Sequence, residues 1–213
     1  MSRRENHTQI GCACAATPEN ATHAEALFNS IKLASIMGAC FSSEQKYHVR
    51  KVVTREDVKE AQDAWAAAIV KISSDYANKG DYVALAISEA EKLYGYDHGQ
   101  VLFKPTKAAD VPFRPRHMDA YSYFVGHNAP GVKNGYKEDK GFAINGGDGW
   151  SSVKFDNHDI ACYGEVAIAM GTYYFTSAKD ESVAKVEYTF GYKRCGDGKV
   201  RICLHHSSVP YKA

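Results

Sequence analysis

Charge of one sign is the first thing this sequence lacks. Its 26 lysines and arginines stand against 25 aspartates and glutamates, with neither sign clustered. A nucleic-acid groove or a polybasic membrane patch needs a one-signed face, so neither partner is expected. Long apolar runs are missing too: none approaches the roughly 20 residues of a membrane span. Of the six cysteines only Cys12 and Cys14 are close, and one C-x-C pair is a weak metal signal. Cys162 and Cys203 fall in strand-like runs, where cysteine serves as a small buried hydrophobe, which points to a reducing compartment, the cytoplasm. Histidines 7, 23, 48, 98, 117, 127 and 158 show no H-x-H, H-x₃-H or H-x-E spacing, so no metal site is announced. No G-x-S-x-G elbow frames Ser207 or Ser208, and no acid nearby in sequence would complete a triad. Gly146-Gly147-Asp148-Gly149 leads into a strand rather than a helix, which makes it a tight turn and not a phosphate loop.

What is present is a chain of 213 residues, 45% of them hydrophobic, enough for one domain with a real core. Fourteen tyrosines suit a half-wet β surface, where a ring packs and its hydroxyl finds a partner. We divide the chain into an N-terminal extension, 1–53, and a domain, 54–213. Within the extension, 1–23 is polar and aperiodic, 24–41 has the spacing of an amphipathic helix, and 42–53 reads as a linker. As a targeting signal its apolar part begins too late, and Lys32 interrupts it.

The domain opens with helices. Thr54 supplies a capping oxygen and Glu56-Asp57 place acids in the first turn. Val58, Ala61, Trp65, Ala68, Ile69, Ile72 and Tyr76 then form one apolar stripe, and Gly80 is the expected left-handed stop. A second helix is predicted from about Asp81 to Leu93 and a third from Met118 to about Val125. Between them lies a short strand in QVLFKPT, halted by Pro105. From 141 onward the chain reads as strands joined by hairpins at Gly164-Glu165, Lys179-Asp180 and 195–198. Helices followed by an antiparallel meander make an α+β plan. A curved sheet wrapped on a long helix leaves a pocket at its open end.

The last strand ends in His205-His206-Ser207-Ser208. Strict alternation puts Val200, Ile202, Leu204, His206 and Ser208 on the core face and sets Tyr188 opposite His206. An apolar face that turns polar at one end is what a pocket mouth looks like. A bulge would swap the faces and bring His205 and Ser207 inward instead. Neighbouring strand residues point to opposite sides, so His205 and His206 cannot grip one ion together.

Several collinear stretches resemble the iota class of carbonic anhydrases: VLFKPTKAADVPFRP (101–115), SYFVG (122–126), KGFAINGG (140–147), AIAMGTYYFT (167–176), VEYTFGYKR (186–194) and GKVRICLHHSSVPY (198–211). The resemblance spans about 54–211. It implies an NTF2-like cone, related to the association domain of calcium/calmodulin-dependent kinase II, and the reversible hydration of CO₂ to bicarbonate. It also implies a pocket lined by Thr106, Tyr123 and polar residues of H-H-S-S. On that basis Thr106, Tyr123, His206 and Ser208 are the candidate catalytic residues, and His205, Ser207 and Tyr188 the candidate substrate-binding ones. In this scheme the hydroxyls fix a water and the developing carboxylate while His206 accepts or relays the proton. The class includes metal-free members and others described as using zinc or manganese; the missing ligand spacing here favours no cofactor. The alternatives are a non-catalytic oligomerisation or small-ligand module, and an isomerase with Glu187 or Asp159 as its buried carboxylate. A homodimer is expected through the outer sheet face, on the view that alternation exposes rings beside Tyr173 and Phe175.

Overall fold

A computed structural model describes residues 52–212, which belong to the compact unit Val49–Ala213. The helix expected over 24–41 and most of the linker lie outside the described residues. Helix α1 (Arg55–Ala77) starts as its sequence dictates. The Thr54 hydroxyl accepts the Asp57 N–H at 3.1 Å, and the Asp57 carboxylate accepts the Thr54 N–H at 2.8 Å. This reciprocal pair satisfies donors that the first turn leaves open. Val58, Trp65, Ala68, Ile69 and Ile72 are buried as the stripe requires, and Gln62 and Ser73 are buried with them. The stop differs in detail: Lys79 takes the left-handed conformation, at φ 59°, rather than Gly80. Gly80 instead lets the Asp75 carboxylate lie against the backbone, where a Cβ would sit 2.3 Å from its oxygen.

Helix α2 (Tyr82–Leu93) is capped by Asp81, and α3 (His117–Val125) is buried along nearly its whole length. The strands are β1 (Leu102–Lys104), β2 (Trp150–Tyr163), β3 (Val166–Ser177), β4 (Val183–Arg194) and β5 (Val200–Ser208). They form one sheet in the order β1-β5-β4-β3-β2. The meander β2 to β5 is antiparallel as expected. Beyond it, β1 pairs in parallel with β5, Lys104 lying opposite His206. That pairing brings Pro105 and Thr106 alongside the end of β5.

The sheet has three register shifts, one of them near the start of β2 between Trp150 and Ser152, and the other two lie opposite glycines. In β2 the register shifts between Asn157 and Asp159, and in β5 Cys203 is the extra residue between Ile202 and Leu204. Facing them, Gly171 and Gly191 have no room for a side chain. A Cβ at Gly171 would lie 2.2 Å from the Asp156 carbonyl oxygen, and one at Gly191 2.8 Å from the Leu204 Cβ. Extra residues on two strands, opposite glycines on their neighbours, curve the sheet around α1. Trp65 measures the curvature: its ring packs against Phe155 of β2, Tyr173 and Phe175 of β3, Phe190 of β4 and His205 of β5, all within 6.2 Å between centroids. A helix lying in the concavity of a curved, open sheet is the α+β plan expected from the order of helices and strands. Trp65→Ala should cost about 3–5 kcal/mol, read from urea unfolding at neutral pH, because no neighbour on four strands can collapse into the space.

Candidate active site

The bulge at Cys203 decides which polar residues of β5 enter the core. Ile202 is buried, the bulge consumes one residue, and the next inward positions are His205 and Ser207, 3% and 1% exposed. The alternation expected from the sequence therefore fails beyond Ile202. His206 is exposed and Ser208 half-buried on the outer face, where the Ser208 hydroxyl donates to Glu187 at 3.4 Å. Tyr188 pairs with Ser207, and His206 with Thr189. The Tyr173-Phe175 face is also corrected: both rings are buried on the inner side, 1% and 0% exposed. The carboxylates considered for an isomerase lie outside. Asp159 has a side chain 63% exposed and paired with Arg55, and Glu187 is exposed.

A chain of hydrogen bonds runs through the inner cluster. The Trp65 Nε1–H donates to the Tyr94 hydroxyl at 2.9 Å, and that hydroxyl meets His205 Nδ1 at 2.8 Å. His205 Nε2 lies 2.9 Å from the Ser207 hydroxyl, which makes a short bond with the Tyr173 hydroxyl. Donor counting fixes the direction. The indole can only donate, and His205 Nδ1 is the acceptor within reach of Tyr94's own proton. Tyr94 therefore donates to Nδ1, His205 carries its proton on Nε2, and Nε2–H donates to Ser207. Ser207 then donates to Tyr173, which directs its proton onward. Burial, and secondarily the neighbouring His206, lowers the His205 pKa well below the usual histidine value, so the ring is held neutral.

Thr106 completes the cluster from the end of β1. Its hydroxyl adjoins both the Tyr123 and the Tyr173 phenols. Burial raises both phenols above the usual tyrosine value, and the hydrogen bonds from Thr106 and its surroundings only partly offset that. Tyr123 Oη also accepts the Lys107 N–H at 3.4 Å. Lys104 ties β1 to β5 by donating to the Ser207 carbonyl at 2.9 Å. Thr106, Tyr123, Tyr173, Ser207 and His205 thus meet in one cup of hydroxyl donors backed by a neutral imidazole. Tyr188 is buried next to it, but its hydroxyl donates to Asn157 at 2.8 Å within a separate cluster with Gln62.

Sequence reasoning missed Tyr173, Tyr94 and Trp65 as parts of the cluster. Tyr173 had a legible signal, since it shares inward parity with Phe175; Tyr94 and Trp65 looked like ordinary core residues. Among the described residues no three His, Cys, Asp or Glu side chains are placed to hold a metal ion together.

Beside Tyr123 lies a cavity of about 240 Å³ lined by Lys107, Glu138, Asp139, Lys140, Phe142 and Asn145, among others. Arg114, wholly buried, fastens its walls. The guanidinium donates to Asp139 at 2.8 Å and to Glu138 at 2.9 Å, and stacks 3.9 Å over the Tyr136 ring. Glu138 accepts in addition the backbone N–H groups of Ala109, Asp110 and Val111. Burial pushes this carboxyl up, but those donors and Arg114 outweigh it and hold it below the usual carboxylate range.

A family model described as metal-independent carbonic anhydrase matches residues 56–209. A metal-independent carbonic anhydrase of Nostoc sp. is 38% identical over 167 residues, 77% of each chain. The crystal structure of an iota-carbonic anhydrase from a cyanobacterium, complexed with bicarbonate, superposes with a TM-score of 0.70 at 36% identity, covering 79% of this chain and 99% of that one.

The buried neutral His205 has a thermodynamic signature. Unfolded, its ring takes up a proton near pH 6.5; folded, its lowered pKa keeps it neutral, so acidification through this window favours the unfolded state. Stability should fall from pH 6.5 toward pH 5, with His205 contributing a slope of at most about 1.4 kcal/mol per pH unit. Urea unfolding across that range should give a shallower slope for His205→Gln than for the wild type; equal slopes would refute the assignment.

Proposed function

This chain belongs to the metal-independent carbonic anhydrase family, and we propose that it interconverts CO₂ and bicarbonate without a metal in the cup of Thr106, Tyr123, Tyr173 and Ser207. Within that family we take it as a member of the iota class, with residues 54–213 as the catalytic domain. One observation carries the reading: hydroxyls from β1's end, α3, β3 and β5 form one connected series, Tyr123 beside Thr106, Thr106 beside Tyr173 and Tyr173 bonded to Ser207, inside the segment that the family model matches.

The chemistry follows from the direction of the protons. CO₂ is uncharged and gains negative charge on its oxygens as water attacks the carbon. The His205–Ser207–Tyr173 chain ends in a phenol that donates toward the cup, and Tyr123 brings a second phenol, itself polarised by the Lys107 N–H. Fixed donors aimed at developing charge lower a barrier because they need no reorganisation during the reaction. The Thr106 hydroxyl, between the two phenols, is placed to orient the attacking water. His205 acts as a donor through Ser207, since Tyr94 occupies its other nitrogen. The exposed His206 has no part in the cup; His205 and Ser207 take the places given to His206 and Ser208, but as donors, and the proton that water releases on forming bicarbonate passes to solvent.

We also infer a homodimer formed through the outer sheet face. The rows Ile168–Gly191–Leu204–Leu102 and Met170–Thr189–His206–Lys104 cross that face, with Ile168, Met170 and Leu102 exposed by 38%, 53% and 56%. Such a patch favours association. Cys162 is exposed at the end of β2 and Cys203 half-buried, so neither is the buried hydrophobe expected from its strand-like run; both thiols are free, which suits a reducing compartment such as the cytoplasm. In the described residues no helix is long and apolar enough to cross a membrane.

Two measurements test these readings. In stopped-flow CO₂ hydration, Ser207→Ala and Thr106→Val should each lower kcat roughly 10²–10³-fold, as removal of an oxyanion donor does. Ser208→Ala and His206→Ala should remain near wild type, and chelator-treated protein free of metal by elemental analysis should keep full activity. Fully active, folded Ser207→Ala and Thr106→Val variants would sink the cup. Light scattering at micromolar concentration should give twice the chain mass, falling to one chain for Ile168→Lys/Met170→Lys; a monomeric wild type removes the dimer.

A further inference from the structure

We infer that the cavity beside Tyr123 is a vestibule that holds small monovalent oxyanions, bicarbonate among them, through Lys107 and Lys140. The inference deepens the proposed function and rests on it for the identity of the anion. Its basis is an imbalance of charge that only the fold reveals. Four charged side chains line this cavity: Lys107, Lys140, Glu138 and Asp139. The carboxylates are engaged elsewhere. Asp139 is wholly buried against Arg114 and accepts the Ser122 hydroxyl, while Glu138 is bound by Arg114 and three backbone N–H groups. The lysines have no such partners. Among the described residues neither Lys107 nor Lys140 has a carboxylate within ion-pair distance, and the Lys107 ammonium lies 6.0 Å from the Trp150 ring centroid. Arg114 offsets one of the two carboxylate charges and backbone N–H groups bind the other, so with the two lysines the group carries a net charge of +1, and the unpaired ammonium groups attract an entering anion.

The position of Lys107 links this vestibule to the cup. Lys107 lines the cavity while its backbone N–H donates to the Tyr123 hydroxyl, and Tyr123 lines the cavity as well as adjoining Thr106. An anion leaving the donors of the cup therefore passes from Tyr123 to the two ammonium groups. Neutral CO₂ gains nothing from those charges. The vestibule thus distinguishes the two substrates by charge, while the cup acts on both.

Nitrate is the probe that separates this idea from catalysis, being planar, singly charged and unreactive. Titrated into the ¹⁵N-labelled full chain, nitrate and bicarbonate should shift the amides of Lys107, Tyr123 and Asn145. Each lysine contributes roughly a threefold gain in affinity at about 5–6 Å through a watery medium, so Lys107→Gln/Lys140→Gln should weaken nitrate about tenfold. Added inert salt should weaken wild-type binding more steeply than that of the double variant. Lys107→Arg/Lys140→Arg should keep most of the affinity, because it keeps the charge. Unchanged nitrate binding in the double glutamine variant overturns the vestibule, as does equal weakening by the arginine pair. Stopped-flow assays on the wild type form a separate arm. Nitrate binding that depends on the lysines in a protein unable to hydrate CO₂ leaves the vestibule standing and removes the proposed function; an active enzyme with lysine-independent nitrate binding does the reverse.

Discussion

One indole N–H, that of Trp65, orders the interior. Trp65 sits midway along α1, touches four strands, and is 1% exposed, so its ring has a single position. An indole nitrogen can donate and never accept, so Tyr94 accepts from it, and the buried Tyr94 proton finds its acceptor in His205 Nδ1. The direction passes through His205 to Ser207 and Tyr173. A packing residue of the core thus sets the polarity of hydrogen bonds several residues away in space, at the point where a substrate would lie. Burial supplies the second half of the constraint. It keeps the imidazole uncharged and the phenols protonated, so every hydroxyl in the cup remains a donor over the neutral pH range.

Much of this was legible in the residues because helices and hairpins announce themselves locally. Thr54 with Asp57, Asp81, Pro105 and the glycine turns each act within a few residues of chain, and the elements fall where those residues place them. Thr106 and Tyr123 became candidates only through resemblance, since a strand-end hydroxyl and a helical tyrosine carry no signal alone. The faces of β5 were not legible. Alternation is a local rule, but a bulge is a relation between two strands, and nothing in Arg201-Ile202-Cys203-Leu204 says that one residue is left unpaired. Strict alternation puts every position after Cys203 on the wrong side, His206 and Ser208 in place of His205 and Ser207, and only the bulged alternative matches the observed faces. Gly191, which makes room opposite the bulge, lies 12 residues earlier in the chain.

Arg114 shows a different kind of illegibility. As one of 26 basic residues in a balanced sequence it looks like solvated surface. It is instead wholly buried, and it ties the loop after β1 to the loop before the Phe142–Gly147 turn. A buried ion pair is poor as a source of net stability, since desolvation consumes most of its attraction. What it supplies here is definition. Both loops lack regular backbone pairing, and the bidentate guanidinium fixes the distance between them, so Lys107 and Lys140 stand on walls of set spacing.

The bulge at Cys203 has a consequence for inheritance. Side-chain facing in a strand has two values, and an extra residue inverts everything that follows it, so the strand behaves as a parity switch. Substitution at Cys203 leaves the parity as it is, whatever the side chain. Loss of Cys203 would leave Ile202 and Leu204 opposite Tyr192 and Gly191 in an unbroken ladder with His205 still inward, whereas closing the bulge without losing a residue would turn the cup inside out and present the outer pair to the core. The pairing with β4 holds the faces, so homologous sites are matched by strand partner rather than by their place within the H-H-S-S run.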